Sequence, residues 1–212
     1  GTSAMTIDPK FSLDPASPSI DGVDKTPDDV FVTGPQVHTQ GTSLGLVDDF
    51  FFGQFDVLNA LSYGRDTISK NLFFSVDRVA VGLPGTAVHD QAAPGVEEAA
   101  GDVFRSRASL STKTNFQFID ETALGLVPGF FGDDLDALDL DQEPMPWTYY
   151  SFDFLSVSNG FGGDAANDIY ASQGQGDKQL YFDLEALGFD PLDDLDALIL
   201  WDEENDGEVD PG

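Results

Sequence analysis

Hydrophobic and polar residues alternate along this chain in short runs. Phe74-Ser75-Val76-Asp77, Asn115-Phe116-Gln117-Phe118-Ile119 and Gln179-Leu180-Tyr181-Phe182 are representative, each rich in aromatic or aliphatic residues. Gly, Pro, Asn and Asp bound these runs, a pattern that predicts β-strands joined by turns. Helical spacing is poor, with a weak exception over 97–104.

The runs also recur, as four landmarks that each occur three times in the same order. The first is aromatic-Ser-apolar-Asp: Phe11-Ser12-Leu13-Asp14, Phe74-Ser75-Val76-Asp77 and Tyr150-Ser151-Phe152-Asp153. The second is Asp-apolar-aromatic-x-Ser/Thr, starting at Asp29, Asp102 and Asp168. The third is a Leu-Gly turn at Leu44-Gly45, Leu124-Gly125 and Leu187-Gly188. The fourth is Asp134-Leu135-Asp136-Ala137-Leu138-Asp139-Leu140, repeated as Asp194-Leu195-Asp196-Ala197-Leu198-Ile199-Leu200 and, more loosely, as Val57-Leu58-Asn59-Ala60-Leu61-Ser62-Tyr63. Its flanking turns favour a strand. A fourth strand per unit is read at 115–119 and 179–182, and more weakly at Gln36-Val37-His38-Thr39.

Three units follow, 10–70, 71–146 and 147–212, after a tag remnant and leader at 1–9. The second unit carries a Gly-, Ala- and Pro-rich insertion at 81–101, which reads as a loop. No linker separates the units, so 10–212 reads as one all-β domain. Three repeats of about four antiparallel strands predict a closed radial array, a three-bladed β-propeller with pseudo-threefold symmetry. Pairing of the last strand with the chain's own first strand at Phe11 would close the ring. A β-prism or a sandwich is the alternative, and a β-trefoil fits less well because its repeats are usually shorter.

Composition changes the picture through charge. With 39 acidic and 9 basic residues the formal net charge is −30. Nucleic acid is excluded as a partner, since phosphate binding needs clustered Lys and Arg. An anionic membrane surface is excluded on the same ground, and no stretch approaches the length of a membrane span. Asp outnumbers Glu by 31 to 8, a bias that suits turns, strand ends and calcium loops better than a merely solvated surface. The absence of Cys removes disulfides, thiolate metal sites and Cys nucleophiles together.

Phe-Ser-Val-Asp, Gly82-Leu83-Pro84-Gly85-Thr86-Ala87-Val88, Gly129-Phe130-Phe131-Gly132-Asp133-Asp134-Leu135 and the Trp201-Asp202…Asp206-Gly207 tail together resemble tandem Asp-rich repeats of secreted bacterial proteins. The resemblance covers nearly the whole chain. It implies a secreted or cell-surface location and carries no activity and no catalytic residues. The first unit departs from the pattern, with Asn59 in place of Asp and Gln54-Phe55-Asp56-Val57 in place of the double Asp.

A threefold repeat around an axis would place like residues in rings. Asp14, Asp77 and Asp153 form one candidate ring, and Asn59, Asp136 and Asp196 a second. Asp29, Asp102 and Asp168 form a third. Carboxylates gathered at an axis must protonate or bind a cation, and calcium suits oxygen-rich sites. The plainer reading carries more weight for any single Asp: at a strand end it accepts backbone N–H bonds and shapes a turn. Asp202-Glu203-Glu204-Asn205-Asp206-Gly207 matches the start of a calcium loop without its closing Glu.

Conventional catalysts are scarce. His38 and His89 fall at unrelated points of their units, and no Ser sits in a nucleophile elbow. His89 and Arg105 are the polar residues peculiar to the second unit. Trp147, Tyr149 and Tyr150 could stack on sugars, but in strands such residues are more often core. The expected function is a calcium-stabilised, monomeric, secreted binding or structural domain without catalysis, whose loops meet a glycan or protein. The alternative is an extracellular carbohydrate-active enzyme using carboxylates at the repeat axis.

Overall fold

The structure is a computed structural model that describes residues 10–20, 24–32, 36–49, 54–63, 71–107, 113–140, 147–159, 164–190, 193, 195–200 and 207. Its strands form four antiparallel sheets, two of four strands and two of two. In the first unit β1 (Val30–Val32) pairs with β2 (Gln36–Thr39), and Phe11 bridges Phe31 on the other side of β1. A short helix α1 (Gly41–Leu44) follows, then a small hairpin of β3 (Asp48–Asp49) and β4 (Gln54–Phe55). The next sheet runs in the order β5 (Leu58–Ser62), β6 (Leu72–Val76), β7 (Val103–Ser106), β8 (Phe116–Ile119). The insertion between β6 and β7 contains a short helix, α2 (Ala87–Gln91), capped by the Thr86 side chain. The last sheet joins β9 (Leu135–Leu140), β10 (Thr148–Phe152), β11 (Ile169–Ser172) and β12 (Gln179–Phe182).

The Leu-Asp-Ala-Leu strand closes one repeat in sequence but opens the next sheet in space. β5 pairs with β6 and β9 with β10, so each four-stranded sheet takes one strand from the preceding unit and three from its own. The repeat extends to irregularities. A register shift of the bulge type interrupts the ladder at Val30/Phe31, at Val103/Phe104 and at Ile169/Tyr170, the same point in each unit.

Each Leu-Gly landmark ends a single helical turn: α1, then 3-10 turns at Glu121–Leu124 and Leu184–Leu187. Gly45, Gly125 and Gly188 all have φ between 79° and 92°, the left-handed conformation that glycine adopts most readily. The following N–H reaches back to the first residue of the turn in every copy: Leu46 to Gly41, Leu126 to Glu121, Phe189 to Leu184. With the Gly N–H bonds to Thr42, Thr122 and Glu185 this is a Schellman motif, used three times.

The core decides how the units associate. One apolar cluster joins Val30, Leu44 and Leu46 of the first unit to Leu72, Phe74, Val76 and Phe104 of the second. Another joins Phe73, Val103, Leu124 and Leu126 of the second to Tyr150, Phe152 and Tyr170 of the third. The remaining cluster holds Trp147, Tyr149, Ile169 and Ala171, with Leu195, Leu198 and Leu200 against them, all from the end of the chain. β6 and β10 are buried at every position because neighbours alternate between the two faces of each strand.

Among the described residues the first unit shares a cluster with the third only through Ala60 on β5, Leu195 to Leu200 belong to no ladder, and Phe11 pairs only with Phe31. The expected closed, three-bladed propeller is therefore corrected: the sheets stack as an open sandwich. The physical reason is that a repeat specifies its contact with the next repeat, and here that contact stacks sheet on sheet without bringing the last unit round to the first. Pseudo-threefold rings lose their axis with it.

Candidate metal centre

The Asp residues of the repeat have three structural roles, each performed once per unit. In the first set, Asp14, Asp77 and Asp153 shape turns. The carboxylate accepts the N–H two residues on, from Ala16, Val79 and Leu155 respectively. The backbone carbonyl accepts the N–H three residues on, from Ser17, Ala80 and Ser156. Among the described residues these three carboxylates do not gather within ligating reach of one another. Two of them do share surroundings, because Asp77 and Asp153 lie near the buried Asp134. The compensating cation there is a guanidinium: Arg78 places Nε 3.2 Å from Asp134 and Nη2 3.6 Å from Asp153.

In the second set, Asn59 donates its amide N–H to Asp134, Asp136 is half-buried on β9, and Asp196 is exposed. The residue one place before this landmark has the more consequential role. Asp56 accepts N–H bonds from Val47 of its own unit and from Val81 and Gly82 of the next. Asp133 does the same with Val127 on one side and with the N–H and hydroxyl of Ser158 on the other. Both carboxylates are buried and hold two units together.

The third set is where acids gather. Asp29, Asp102 and Asp168 are buried at the start of β1, β7 and β11, and each accepts the first N–H of the following helical turn: Gly41, Glu121 and Leu184. In the second unit this brings Asp102 next to the turn that begins Asp120-Glu121. Asp120 accepts the N–H and the hydroxyl of Thr122, and Gln117 donates to Asp102 at 2.9 Å. Oxygens of Asp102, Asp120 and Glu121 lie within 4.8 Å of one another, and among the described residues no other three acids do so.

Glu121 makes this cluster unusual. The residue is 1 % exposed, and its Oε2 has no hydrogen-bond partner among the described residues. Its side chain fits because position 101 is glycine; a Cβ there would stand 2.7 Å from the Glu121 Cβ. Burial holds the Asp102 carboxyl well above the usual carboxylate range, and the adjacent Glu121 pushes it further. Half-buried Glu98, from the insertion, is raised by burial and by the same two acids, Glu121 and Asp120. Three acids thus gather with Gln117 as the polar donor between Asp102 and Asp120. Such a set either retains protons or holds a hard cation.

The first unit places its extra acid on the opposite side. Asp28 is fully buried, neither oxygen is within hydrogen-bond geometry of a partner among the described residues, and its carboxylate occupies the space beside Gly41. Burial pushes it up to about 8, Asp29 and Asp48 add to the rise, and the Thr26 side chain offsets part of it. Asp28 aligns with Gly101, and Gly41 with Glu121, so acid and glycine have exchanged positions between the units.

Asp102 was visible in the sequence as a repeated Asp, whereas Asp120 and Glu121 were not singled out. The available signal was the Asp-x-Thr start of a helical turn ahead of Leu-Gly. The other candidates have structural places. His89 Nδ1 lies 3.1 Å from the Val81 carbonyl, Arg105 stacks over the Phe118 ring, and His38 is exposed on β2. Trp147, Tyr149 and Tyr150 are core, with the Tyr150 hydroxyl bonded to Leu124. Of the calcium-loop match, 202–206 lies outside the described residues. A cavity of about 460 Å³, lined by Glu97, Val127, Phe130, Phe131 and Val157, opens beside the insertion. No helix among the described residues is long and apolar enough to cross a membrane. Comparison with protein-family models, curated proteins and solved structures finds no match to this chain.

Proposed function

We propose that this chain is a calcium-stabilised β-repeat domain that binds or supports another molecule outside the bacterial cell and performs no catalysis. The observation that carries the reading is the buried, unpartnered Oε2 of Glu121 beside Asp102 and Asp120. An all-oxygen, strongly anionic donor set favours a hard cation, and calcium tolerates irregular geometry better than magnesium does. Binding would relieve repulsion among carboxylates that folding forces together, coupling metal affinity to stability. The enzyme alternative needed carboxylates around an axis, and the open stack has no axis. Exposed Phe130 and Phe131 beside the insertion supply the contact surface for a glycan or protein ligand.

The test is thermal unfolding of metal-stripped protein with calcium, with magnesium, and with sodium chloride at matched ionic strength. Calcium at a hundredfold excess over its dissociation constant is expected to add about 2.7 kcal/mol, and Glu121→Gln to abolish that gain. An equal rise with sodium chloride would reduce the effect to charge screening and sink the calcium reading.

A further inference from the structure

The buried oxygen that lacks a partner in the second unit has counterparts in the other two. In every unit the Asp that starts a buried strand accepts the first N–H of the helical turn: Asp29 from Gly41, Asp102 from Glu121 and Asp168 from Leu184. These bonds fix the alignment, so Asp28, Gly101 and Asn167 are equivalent, as are Gly41, Glu121 and Leu184. Among the described residues, both oxygens of Asp28, Oε2 of Glu121 and Oδ1 of Asn167 lack a hydrogen-bond partner. All three residues are at most 1 % exposed.

One place in the repeat is thus short of a donor in each unit, although three residue types supply the oxygen. A buried carboxyl can meet the shortage by holding a proton, whereas the Asn167 amide oxygen can only accept. The shortage therefore belongs to the position rather than to the acid, and a water or an ion is what such a position takes. The second unit reaches this place from the turn, with Glu121 beside Gly101. The first unit reaches it from the strand start, and a Cβ on Gly41 would collide with the Asp28 carboxylate. Asp29 and Asp48 carry the charges that act on Asp28, and the Thr26 side chain stands beside both Asp28 and Asp48. A water would satisfy the oxygens but bring no charge to offset the carboxylates. A hard cation does both.

We infer that the first unit holds a second divalent-cation site, in which Asp28, Asp29, Asp48 and the Thr26 hydroxyl take the part of Asp102, Asp120 and Glu121. For the identity of the ion, calcium, this rests on the reading of the second unit proposed above. The first site is the weaker, because the 4.8 Å convergence of three acids is found, among the described residues, in the second unit alone. The third unit takes no ion at comparable concentration. Its equivalent of Asp28 is the neutral Asn167, whose Nδ2 donates to the Asp190 carbonyl.

The test is calorimetric titration of calcium into the metal-stripped full chain, with Asp28→Asn, Glu121→Gln and the double variant alongside. The parent is expected to bind two ions per chain, with affinities about tenfold apart. Asp28→Asn should lose the weaker ion, Glu121→Gln the tighter one, and the double variant both. A single ion in the parent, lost in Glu121→Gln and kept in Asp28→Asn, would overturn the second site and leave the triad standing. Loss of an ion in Asp28→Asn, with binding in Glu121→Gln equal to the parent's, would support the new site and overturn the triad. No binding by the parent would overturn both. Metal-free Asp28→Asn should melt no lower than metal-free parent, since an amide of the same shape replaces a buried acid. A lower melting point with two ions still bound would make Asp28 purely structural and overturn the inference.

Discussion

Asp56, Asp133 and Asp193 occupy one position of the repeat and meet three different fates. The first two are buried and tie the Leu-Gly turn of one unit to the turn that follows the first landmark strand of the next. Asp193 keeps only the first of these bonds. Removing the carboxylate at Asp133 strands the buried Ser158 N–H and hydroxyl and the part-buried Val127 N–H, whereas at Asp193 water replaces it. Asp133→Ala should therefore lose about 2–4 kcal/mol and Asp193→Ala no more than about 0.5 kcal/mol, read by urea unfolding at fixed calcium. At this scale the Asp bias was legible as turn chemistry, and Asp14, Asp77 and Asp153 bear it out through identical bonds to the second residue on. Which acids converge was not legible. Glu121 reaches Asp102 because a turn folds back on a strand start, a contact between residues that no spacing rule links.

The one-turn helices before Gly45, Gly125 and Gly188 show what sequence period can and cannot reveal. Strands announce themselves by alternation over five residues, as in β5 and β9. A four-residue helix is too short for a 3.6-residue period to register, so only its glycine stop was visible. That glycine can be tested by position. At Gly188 an added Cβ meets nothing within 4 Å, so Gly188→Ala carries only the left-handed backbone penalty of about 1–2 kcal/mol. At Gly125 the Cβ also presses on Lys178, at 3.0 Å from its Cβ and 3.2 Å from its backbone N. Gly125→Ala should thus lower the melting temperature more than Gly188→Ala does. Equal losses would mean that backbone conformation alone governs both sites.

Stacking sheets face to face buries acids that an isolated strand would leave in water. Burial pushes the Asp134 carboxyl up to about 8 despite the Arg78 charge, with Asp77 and Asp153 adding to the rise, and it pushes Asp28 to a similar value. Both groups start from 3.8 in the unfolded chain. Between roughly 4 and 8 the folded state therefore binds more protons than the unfolded one. The stability this contributes is present below the unfolded value and is lost as pH rises through the folded value. Metal-free protein should melt progressively lower from pH 5 to pH 8.5, and Asp28→Asn with Asp134→Asn should flatten that slope. A melting point independent of pH would show that both carboxylates are already ionised in the fold.

The sequence by itself determined what lies within a unit: strands, turns, the Schellman stops, the buried aromatics and the repeat that orders them. All of these depend on neighbours a few residues apart, and alternation, glycine placement and side-chain size encode them locally. Only the tertiary structure decided how one unit sits on the next. That relation is set by packing between Leu135, Leu138 and Leu140 and the sheets on either side. A small change in such packing separates a closed ring from an open stack while leaving every landmark in place. The candidate metal centre belongs to the same level, because Asp102, Asp120 and Glu121 meet only when a strand start, a helical turn and a glycine-lined gap are brought together.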